Sequence, residues 1–207
     1  MAKQKSFLRD TISDLKNGLP PRRLASHFHA RGIVFVHVPK CGGTSVENGL
    51  RKIFRLSRTI ISPETSFSTA AKELGFAANE ASRHDILTRA SEIRRTLLHT
   101  DLETGYKCLT GHAPLGTNTI DAWSTSHDFI TVLRDPVQRF CSHLAFNLNG
   151  GGGHGQINEP IDRFLTRPRA KVMGALYGKY FAGLAMDADF GSAEAIRSAK
   201  RTLDKME

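Results

Sequence analysis

The sequence predicts an α/β fold in which a mainly parallel central sheet carries helices on both faces. Short apolar runs rich in β-branched residues alternate with segments of helical periodicity, and this alternation is typical of parallel sheets. Glycine- or proline-containing loops follow several of the runs, as ligand-binding loops do at the C-terminal ends of parallel strands. With 207 residues and a hydrophobic fraction of 40%, the whole chain, residues 1–207, is expected to form a single domain.

The first predicted strand covers residues 32–38, GIVFVHV, whose continuous apolarity is typical of a strand buried on both faces. A helix is predicted to follow from Thr44, because apolar residues then recur at helical spacing: Val46, Leu50, Ile53 and Phe54. Upstream, residues 1–30 are expected to form a helical extension, since Phe7, Ile12, Leu15 and Leu19 suggest an amphipathic helix.

Three more strands are predicted, at residues 58–61, 106–110 and 128–133. Between them, residues 63–105 are polar, with helical periodicity evident over residues 86–98. The last strand leads into Asp135 and Pro136, a good N-cap followed by a good first helical residue, so a helix is predicted from there to about residue 147. After a glycine loop, short helices are predicted at residues 161–165 and 193–206.

Composition limits the classes of partner. A net charge of +9 and a pI near 9.8 favour acidic ligands such as nucleotides or sulfated sugars. Nucleic acid would fit the charge, but no aromatic or helix-turn-helix pattern supports it, so no nucleic-acid partner is expected. No apolar run approaches the ~20 residues of a membrane span, and residues 1–19 lack the apolar core of a secretion signal. A cytoplasmic location is therefore expected.

Three cysteines, Cys41, Cys108 and Cys141, are present, and none forms a C-x-x-C pair. An odd number with this spacing argues against a disulfide framework and against a zinc site, so no metal is expected. Cys108 and Cys141 lie in apolar stretches and are interpreted as small buried residues.

The loop after the first strand has the composition of an anion site. Gly42 and Gly43 allow a tight turn that brings backbone N–H groups close to a ligand, and the following helix adds N–H groups and the positive end of its dipole. Thr44 and Ser45 can cap that helix or donate to phosphate oxygens, and Lys40 supplies a charge. A phosphate-binding loop is therefore predicted.

Three other interpretations of the loop compete with this prediction. A Walker-type NTPase needs a lysine after the glycines, whereas Lys40 precedes them. A cysteine phosphatase would need an arginine six positions after Cys41, and Glu47 stands there; a reactive Cys41 at a helix N-terminus stays open as a lesser alternative. A strand-to-helix turn that binds nothing is the third interpretation.

The stretch HVPKCGGTS resembles the 5′-phosphosulfate-binding loop of sulfotransferases that use 3′-phosphoadenosine 5′-phosphosulfate (PAPS). It is most similar to the carbohydrate sulfotransferase branch that includes heparan sulfate 2-O-sulfotransferase, in which the loop commonly reads PKTGGTS. Cys41 replaces the usual threonine. The resemblance implies a P-loop-type three-layer fold, PAPS as sulfuryl donor, no metal, and donor contacts from the following residues of the loop: Lys40, Cys41, Gly42, Gly43, Thr44 and Ser45.

A second stretch, RDPVQRFCS from Arg134 to Ser142, resembles the 3′-phosphate-binding segment of the same family, R-D-P-x-x-R-x-x-S. An arginine at a strand end offers forked donors for a phosphate, and the serine lies about two helical turns further along. The resemblance implies that Arg134 and Ser142 bind the 3′-phosphate of the donor. Without a ligand, the same stretch would be a capped helix start with Arg139 in a surface salt bridge.

The resemblance implies transfer of a sulfuryl group from PAPS to an acceptor hydroxyl or amine, in line and without metal, with Lys40 stabilising the leaving phosphate. His112 is the candidate general base, because it follows a predicted strand in GHAP, a segment that resembles the family's G-H-x-P. A structural histidine that bonds a loop backbone is the alternative. Glu47 is interpreted as helix N-terminal charge, with a role as base left open.

The acceptor is expected to be a glycan or another small hydroxyl compound, and oligomeric state is not predicted. Two basic groups, Arg51, Lys52, Arg55 and Arg58, and then Arg163, Arg167, Arg169 and Lys171, could hold an acidic polysaccharide or form solvated surfaces. Family members usually continue with a further strand, so the C-terminus is expected to be truncated relative to them. A catalytically idle binding protein of this fold and a P-loop kinase remain alternatives.

Overall fold

Four parallel strands form the centre of the fold in this computed structural model, which describes residues 31–55, 57–75, 82–150 and 155–206. The strands are β1 (Gly32–Val36), β2 (Arg58–Ile61), β3 (Cys108–Gly111) and β4 (His127–Thr131). Their order in the sheet is β2-β3-β1-β4, and every neighbouring pair is parallel. The predicted α/β fold with a parallel sheet is confirmed. The helix predicted within residues 1–30 lies outside the described residues.

The helices that surround the sheet are α1 (Gly43–Ile53), α2 (Pro63–Leu74), α3 (Arg83–Glu103), α4 (Thr117–Trp123), α5 (Pro136–Leu148), α6 (Ile161–Leu165), α7 (Pro168–Gly174), α8 (Leu176–Phe181) and α9 (Ala193–Leu203). None of the helices within the described ranges is long and apolar enough to cross a membrane.

Burial on both faces explains why β1 is apolar throughout. Val34 and Val36 pack on one face in a core that includes Leu98 of α3 and residues of α8 and α9. Phe35 points to the other face, where it packs with Leu50 of α1. Alternate side chains of a strand point to opposite faces, so a strand covered on both sides has no polar positions. The result is three layers, with helices above and below the sheet.

Several boundaries differ from the predictions. β1 ends at Val36, two residues early, because its neighbours end at Gly111 and Thr131 and leave no partner for a longer ladder. Helix α2 was not predicted, although Ser62 caps it by accepting a hydrogen bond from the Thr65 amide at 3.2 Å. Helices α7 and α8 were not predicted either.

Strand order determines where the functional loops meet. β1 lies between β3 and β4, and all three strands run in the same direction. The loops that follow them therefore emerge side by side at one edge of the sheet, where ligands of open α/β folds bind. These are the loops that contain Lys40, His112 and Arg134.

Candidate functional site

The loop after β1 has an unusual backbone. Lys40 has φ of +65° and is the one non-glycine residue with positive φ in the described part of the chain. Gly42 follows with φ of +85° and forms the N-cap of α1. Left-handed residues next to a helix start turn successive N–H groups towards one point and form a concave anion site. Such a conformation costs a lysine about 1–3 kcal/mol, which is typical of functional loops.

Gly43 allows α1 to pack closely on the end of β1. A Cβ atom at this position would lie 2.7 Å from Cδ2 of His37 and 2.9 Å from Cζ of Phe35. Any larger residue would therefore push the helix N-terminus away from the sheet. The side chains of Thr44 and Ser45 are exposed, and no side chain caps α1. Of the two roles considered for Thr44 and Ser45, capping is therefore wrong. Both hydroxyls lie in the first turn, beside N–H groups that have no helical acceptor.

The side chain of Lys40 contacts helix α5. Its Nζ atom lies 3.9 Å from the ring centroid of Phe146 on α5, which is a cation–π distance. The contact holds the ammonium at the entrance to the loop without neutralising it, because an aromatic ring carries no net charge. The charge therefore remains available to an anionic ligand.

The loop after β4 starts helix α5 as predicted. The Asp135 side chain accepts a hydrogen bond from the Gln138 amide at 2.9 Å, and Pro136 occupies the first helical position. The Arg134 side chain is exposed, and Ser142 is half-buried further along α5. These positions are compatible with the predicted phosphate contacts.

Tyr177 of α8 joins the two loops. Its hydroxyl accepts a hydrogen bond from the Arg134 amide at 3.0 Å and donates one to the Arg134 carbonyl at 2.5 Å. The same oxygen lies 3.5 Å from Sγ of Cys41. Burial raises the pKa of Tyr177 to about 12, so the hydroxyl keeps its proton at neutral pH. One side chain therefore fixes the two predicted phosphate-binding loops relative to each other.

Arg139 is not on the surface. Its side chain is fully buried, donates to the Met173 carbonyl at 2.5 Å, and lies over the ring of Tyr177 with Cζ 5.6 Å from the centroid. The surface salt bridge of the alternative without a ligand is therefore wrong, because α7 and α8 cover this side of α5. Arg139 instead connects α5 to the C-terminal end of α7 and to Tyr177 of α8.

Glu47, the fifth residue of α1, is buried, and its carboxylate accepts three hydrogen bonds. It accepts from His37 Nδ1 at 2.8 Å, from Arg51 at 2.6 Å and from Thr110 Oγ1 at 2.9 Å. Burial raises the pKa of Glu47, but these three donors outweigh burial and lower it overall. Glu47 therefore fixes His37 and joins α1 to β3. The interpretation as first-turn helix charge is wrong, since α1 has no acidic residue in its first turn.

His112 follows β3 and stacks on His37, with ring centroids 4.7 Å apart. Its Nδ1 atom is buried and has no hydrogen-bond partner. Burial, followed by the nearby His37 and Arg94, lowers the pKa of His112 to about 4. The imidazole is therefore neutral at physiological pH and able to accept a proton. A backbone hydrogen bond with His37 raises the pKa against that trend, and it agrees with the alternative of a histidine bonded to a loop backbone.

A cavity of about 490 Å³ lies beside His112. Its wall includes Pro39 next to Lys40, and Phe146. His143 also lines it, with Nδ1 3.5 Å from the Arg139 guanidinium. Burial, then Arg139 and Lys40, lower the pKa of His143 to about 4. The cavity volume is within the range of small-molecule sites.

Three buried basic residues line this cavity: Arg94, Arg169 and Lys179. Arg94 and Lys179 were not predicted as site residues. Arg169 belongs to the second of the two predicted basic groups. Other members of these groups form ion pairs: Arg51 pairs with Glu47, and Arg163 and Arg167 pair with Glu159. A signal for the two that were missed exists in the sequence. Arg94 interrupts a buried i+4 stripe, and Lys179 interrupts the apolar stretch of α8.

The cysteines differ in environment. Cys41 and Cys108 are buried, and Cys141 is exposed, so the prediction that Cys141 is buried was wrong. It lies on the outer face of α5. Within the described ranges no group of three metal-ligating side chains comes together.

Comparisons with protein-family models, curated proteins and solved structures found no match for this chain. The membership predicted from the two motifs is therefore a proposal that depends on the residues of the site.

Proposed function

We propose that the protein is a PAPS-dependent sulfotransferase, which moves a sulfuryl group to an acceptor hydroxyl or amine. The observation that carries the proposal is the adjacency of two motif-bearing loops. PKCGGTS follows β1, RDP follows β4, and these strands are direct neighbours in the sheet. The hydroxyl of Tyr177 further ties the loops together. Two phosphate-binding loops side by side suit a nucleotide with phosphates at both its 5′ and 3′ positions.

The 5′ side of the donor fits the β1 loop. First-turn N–H groups of α1, the exposed hydroxyls of Thr44 and Ser45, and the ammonium of Lys40 form a donor set without a carboxylate. Negative charge develops on the leaving phosphate during sulfuryl transfer, and fixed donors of this kind stabilise such charge. The strained backbone of Lys40 is consistent with a loop organised before the ligand binds.

The 3′ side fits Arg134 and Ser142. Tyr177 holds the main chain of Arg134 on both its amide and its carbonyl, while the guanidinium remains exposed. A fixed backbone with a free side chain suits an arginine that binds phosphate with two parallel hydrogen bonds. We propose that these residues distinguish a 3′-phosphorylated nucleotide from ATP.

His112 is proposed as the general base. Nδ1 is buried, so we assign the proton-accepting role to Nε2 of this cavity-lining ring. In the proposed step the acceptor oxygen forms a bond to sulfur, the bond from sulfur to the 5′-phosphate oxygen breaks, and the acceptor proton moves to Nε2. The donor supplies the activated sulfuryl group, and stacking on His37 keeps the base in position.

Calorimetric titration with 3′-phosphoadenosine 5′-phosphate (PAP), the product nucleotide, tests the donor site. We expect PAP to bind in preference to ATP with magnesium. Binding should weaken at least tenfold in Arg134→Ala, because a charge-assisted phosphate contact is lost. Lys40→Ala should weaken PAP binding and reduce transfer from PAPS more strongly, because Lys40 acts on charge that grows during the reaction.

Arg197→Ala is the matched control, since Arg197 is exposed on α9, a different part of the molecule. It should bind PAP as the unaltered protein does. Preference for ATP with magnesium would instead favour the P-loop kinase alternative. Equal loss in Arg134→Ala and Arg197→Ala would mean that net charge, and not the loop after β4, binds the nucleotide.

A further inference from the structure

Two of the three buried basic residues that line the cavity beside His112 are of particular interest. Lys179 of α8 is 7% exposed and Arg94 of α3 is 8% exposed, and both line the space of about 490 Å³. Lysine and arginine are almost never buried to this degree unless an acidic group pairs with them. Both residues lie on helices, in positions where the rest of the buried surface is mainly apolar.

Among the residues that the structure describes, no acidic group acts on Lys179, and the carboxylate that acts on Arg94 through its charge is Glu64. Within the described part of the chain the Lys179 ammonium makes no hydrogen bond and no ion pair. Arg94 donates one hydrogen bond, to Oγ of Ser91 at 2.8 Å, and its Nε atom is buried without a partner. Buried charges without partners are costly, so their presence together requires compensation from another source.

The other groups around the cavity add little negative charge. Arg169 donates to the carbonyls of Gly155 and Gln156, which carry no net charge. Glu64 is the carboxylate among the lining residues; burial has the larger effect and lowers the pKa of Arg94, whereas the charge of Glu64 raises it. Three histidines, His84, His112 and His143, and the buried Tyr180 complete the titratable groups of the wall. The wall is therefore electropositive as a whole.

The titration of Lys179 agrees with this geometry. Burial lowers the pKa of Lys179 to about 7, and the nearby charge of Arg94 lowers it in the same direction. An anion placed between the two side chains would reverse both effects, because it pairs with each of them.

The remaining wall is apolar and selects the body of the ligand. Leu87, Val172, Met173, Leu176 and Phe146 contribute to it. A polysaccharide needs many hydrogen bonds along its length, whereas this surface suits a compact hydrocarbon or aromatic group. A volume of about 490 Å³ is also that of a small-molecule site.

We propose that this cavity binds a small hydroxylated organic anion, with its acidic group on Lys179 and Arg94 and its apolar body against the hydrophobic wall. Its hydroxyl then lies towards His112, which lines the same cavity. Naming this molecule the sulfuryl acceptor rests on the proposed function. The inference narrows the acceptor from a carbohydrate to an amphiphilic acid.

Calorimetry with 4-hydroxyphenylacetate and its uncharged methyl ester tests the proposal, because the two probes share shape and hydroxyl and differ in charge. We expect the acid to bind at least tenfold more tightly than the ester. Lys179→Met should remove that preference and leave ester binding unchanged. Lys171→Met, on the exposed surface of neighbouring α7, is the matched control and should keep the preference.

Several results would overturn the inference. The first is equal binding of acid and ester, and the second is an unchanged preference of Lys179→Met for the acid over the ester. The third is displacement of the acid by PAP. The fourth is binding of a heparin-derived hexasaccharide with no binding of the small acid at millimolar concentration. The acid–ester comparison on the unaltered protein decides the matter even if Lys179→Met does not fold. PAP is titrated separately, so a chain that selects the acid but does not bind PAP would contradict the sulfotransferase proposal while supporting the anion site.

Discussion

The ammonium of Lys40 lies over the ring of Phe146, with Nζ 3.9 Å from the ring centroid. The backbone of the same lysine is left-handed, with φ of +65°. The strained backbone of Lys40 lowers the stability of the fold, so a stabilising role does not explain it. A role in ligand binding does explain it, because the strained backbone positions the ammonium. The strain and the side chain can be separated by mutation, because glycine adopts this φ without cost.

Lys40→Gly should therefore leave the free energy of unfolding unchanged or raise it by up to about 1 kcal/mol, since relief of strain opposes the greater chain entropy of glycine. Transfer from PAPS should fall roughly 10²- to 10³-fold, because a fixed charge at the leaving group is lost. Urea denaturation and a transfer assay measure the two effects. Lys52→Gly, in the last turn of α1, is the control and should lose about 1 kcal/mol of stability. Equal destabilisation by both changes would mean that Lys40 is not strained.

Tyr177→Phe should lower the free energy of unfolding by about 1–2 kcal/mol, because the hydroxyl satisfies both the amide and the carbonyl of Arg134. Loss of this link should also weaken PAP binding several-fold, since the loop after β4 becomes less ordered. Thermal unfolding and PAP titration measure the change. Tyr106→Phe is the control, because Tyr106 is exposed. PAP binding that is unaffected in Tyr177→Phe would show that the link is not needed to organise the site.

Glu47→Gln should cost about 2–3 kcal/mol at neutral pH, because three donors lose a buried carboxylate. The pH dependence follows from the lowered pKa of Glu47. As pH falls, the Glu47 carboxylate takes up a proton in the unfolded chain at a higher pH than in the folded protein. The stability that Glu47 contributes is therefore present above about pH 4.3 and is lost as pH falls through the pKa of the folded state. Denaturation curves between pH 3 and 7 should show a shallower loss in Glu47→Gln. The exposed Glu103 at the end of α3 gives the control Glu103→Gln, and a slope shared by all three proteins would contradict the prediction.

The sequence predicted features that depend on local pattern. The β1 strand was found from its apolarity, and Asp135 with Pro136 was found as a helix start, because both signals lie within a few residues. Features that depend on distant packing were missed. Arg139 became buried because α7 and α8 cover α5, and Lys179 meets Arg94 only through folding of segments 85 residues apart. The anion loop was therefore predicted from its residues, whereas the cavity beside it was not.

His112→Gln should reduce transfer by about 10²- to 10⁴-fold if Nε2 accepts the acceptor proton. The pH profile separates this role from a structural one. Burial, then His37 and Arg94, hold the pKa of His112 at about 4, so kcat/KM should stay level above that value and fall as pH drops through it, when the ring becomes protonated. Anionic ligands raise the pKa of a nearby imidazole, so the corresponding fall in kcat should occur at higher pH than the fall in kcat/KM. His143→Gln is the control, because His143 lines the same cavity and its pKa is also lowered to about 4. His143→Gln should retain the fall at low pH in both kcat and kcat/KM. Loss of that fall in His143→Gln but not in His112→Gln would assign the base to His143 instead.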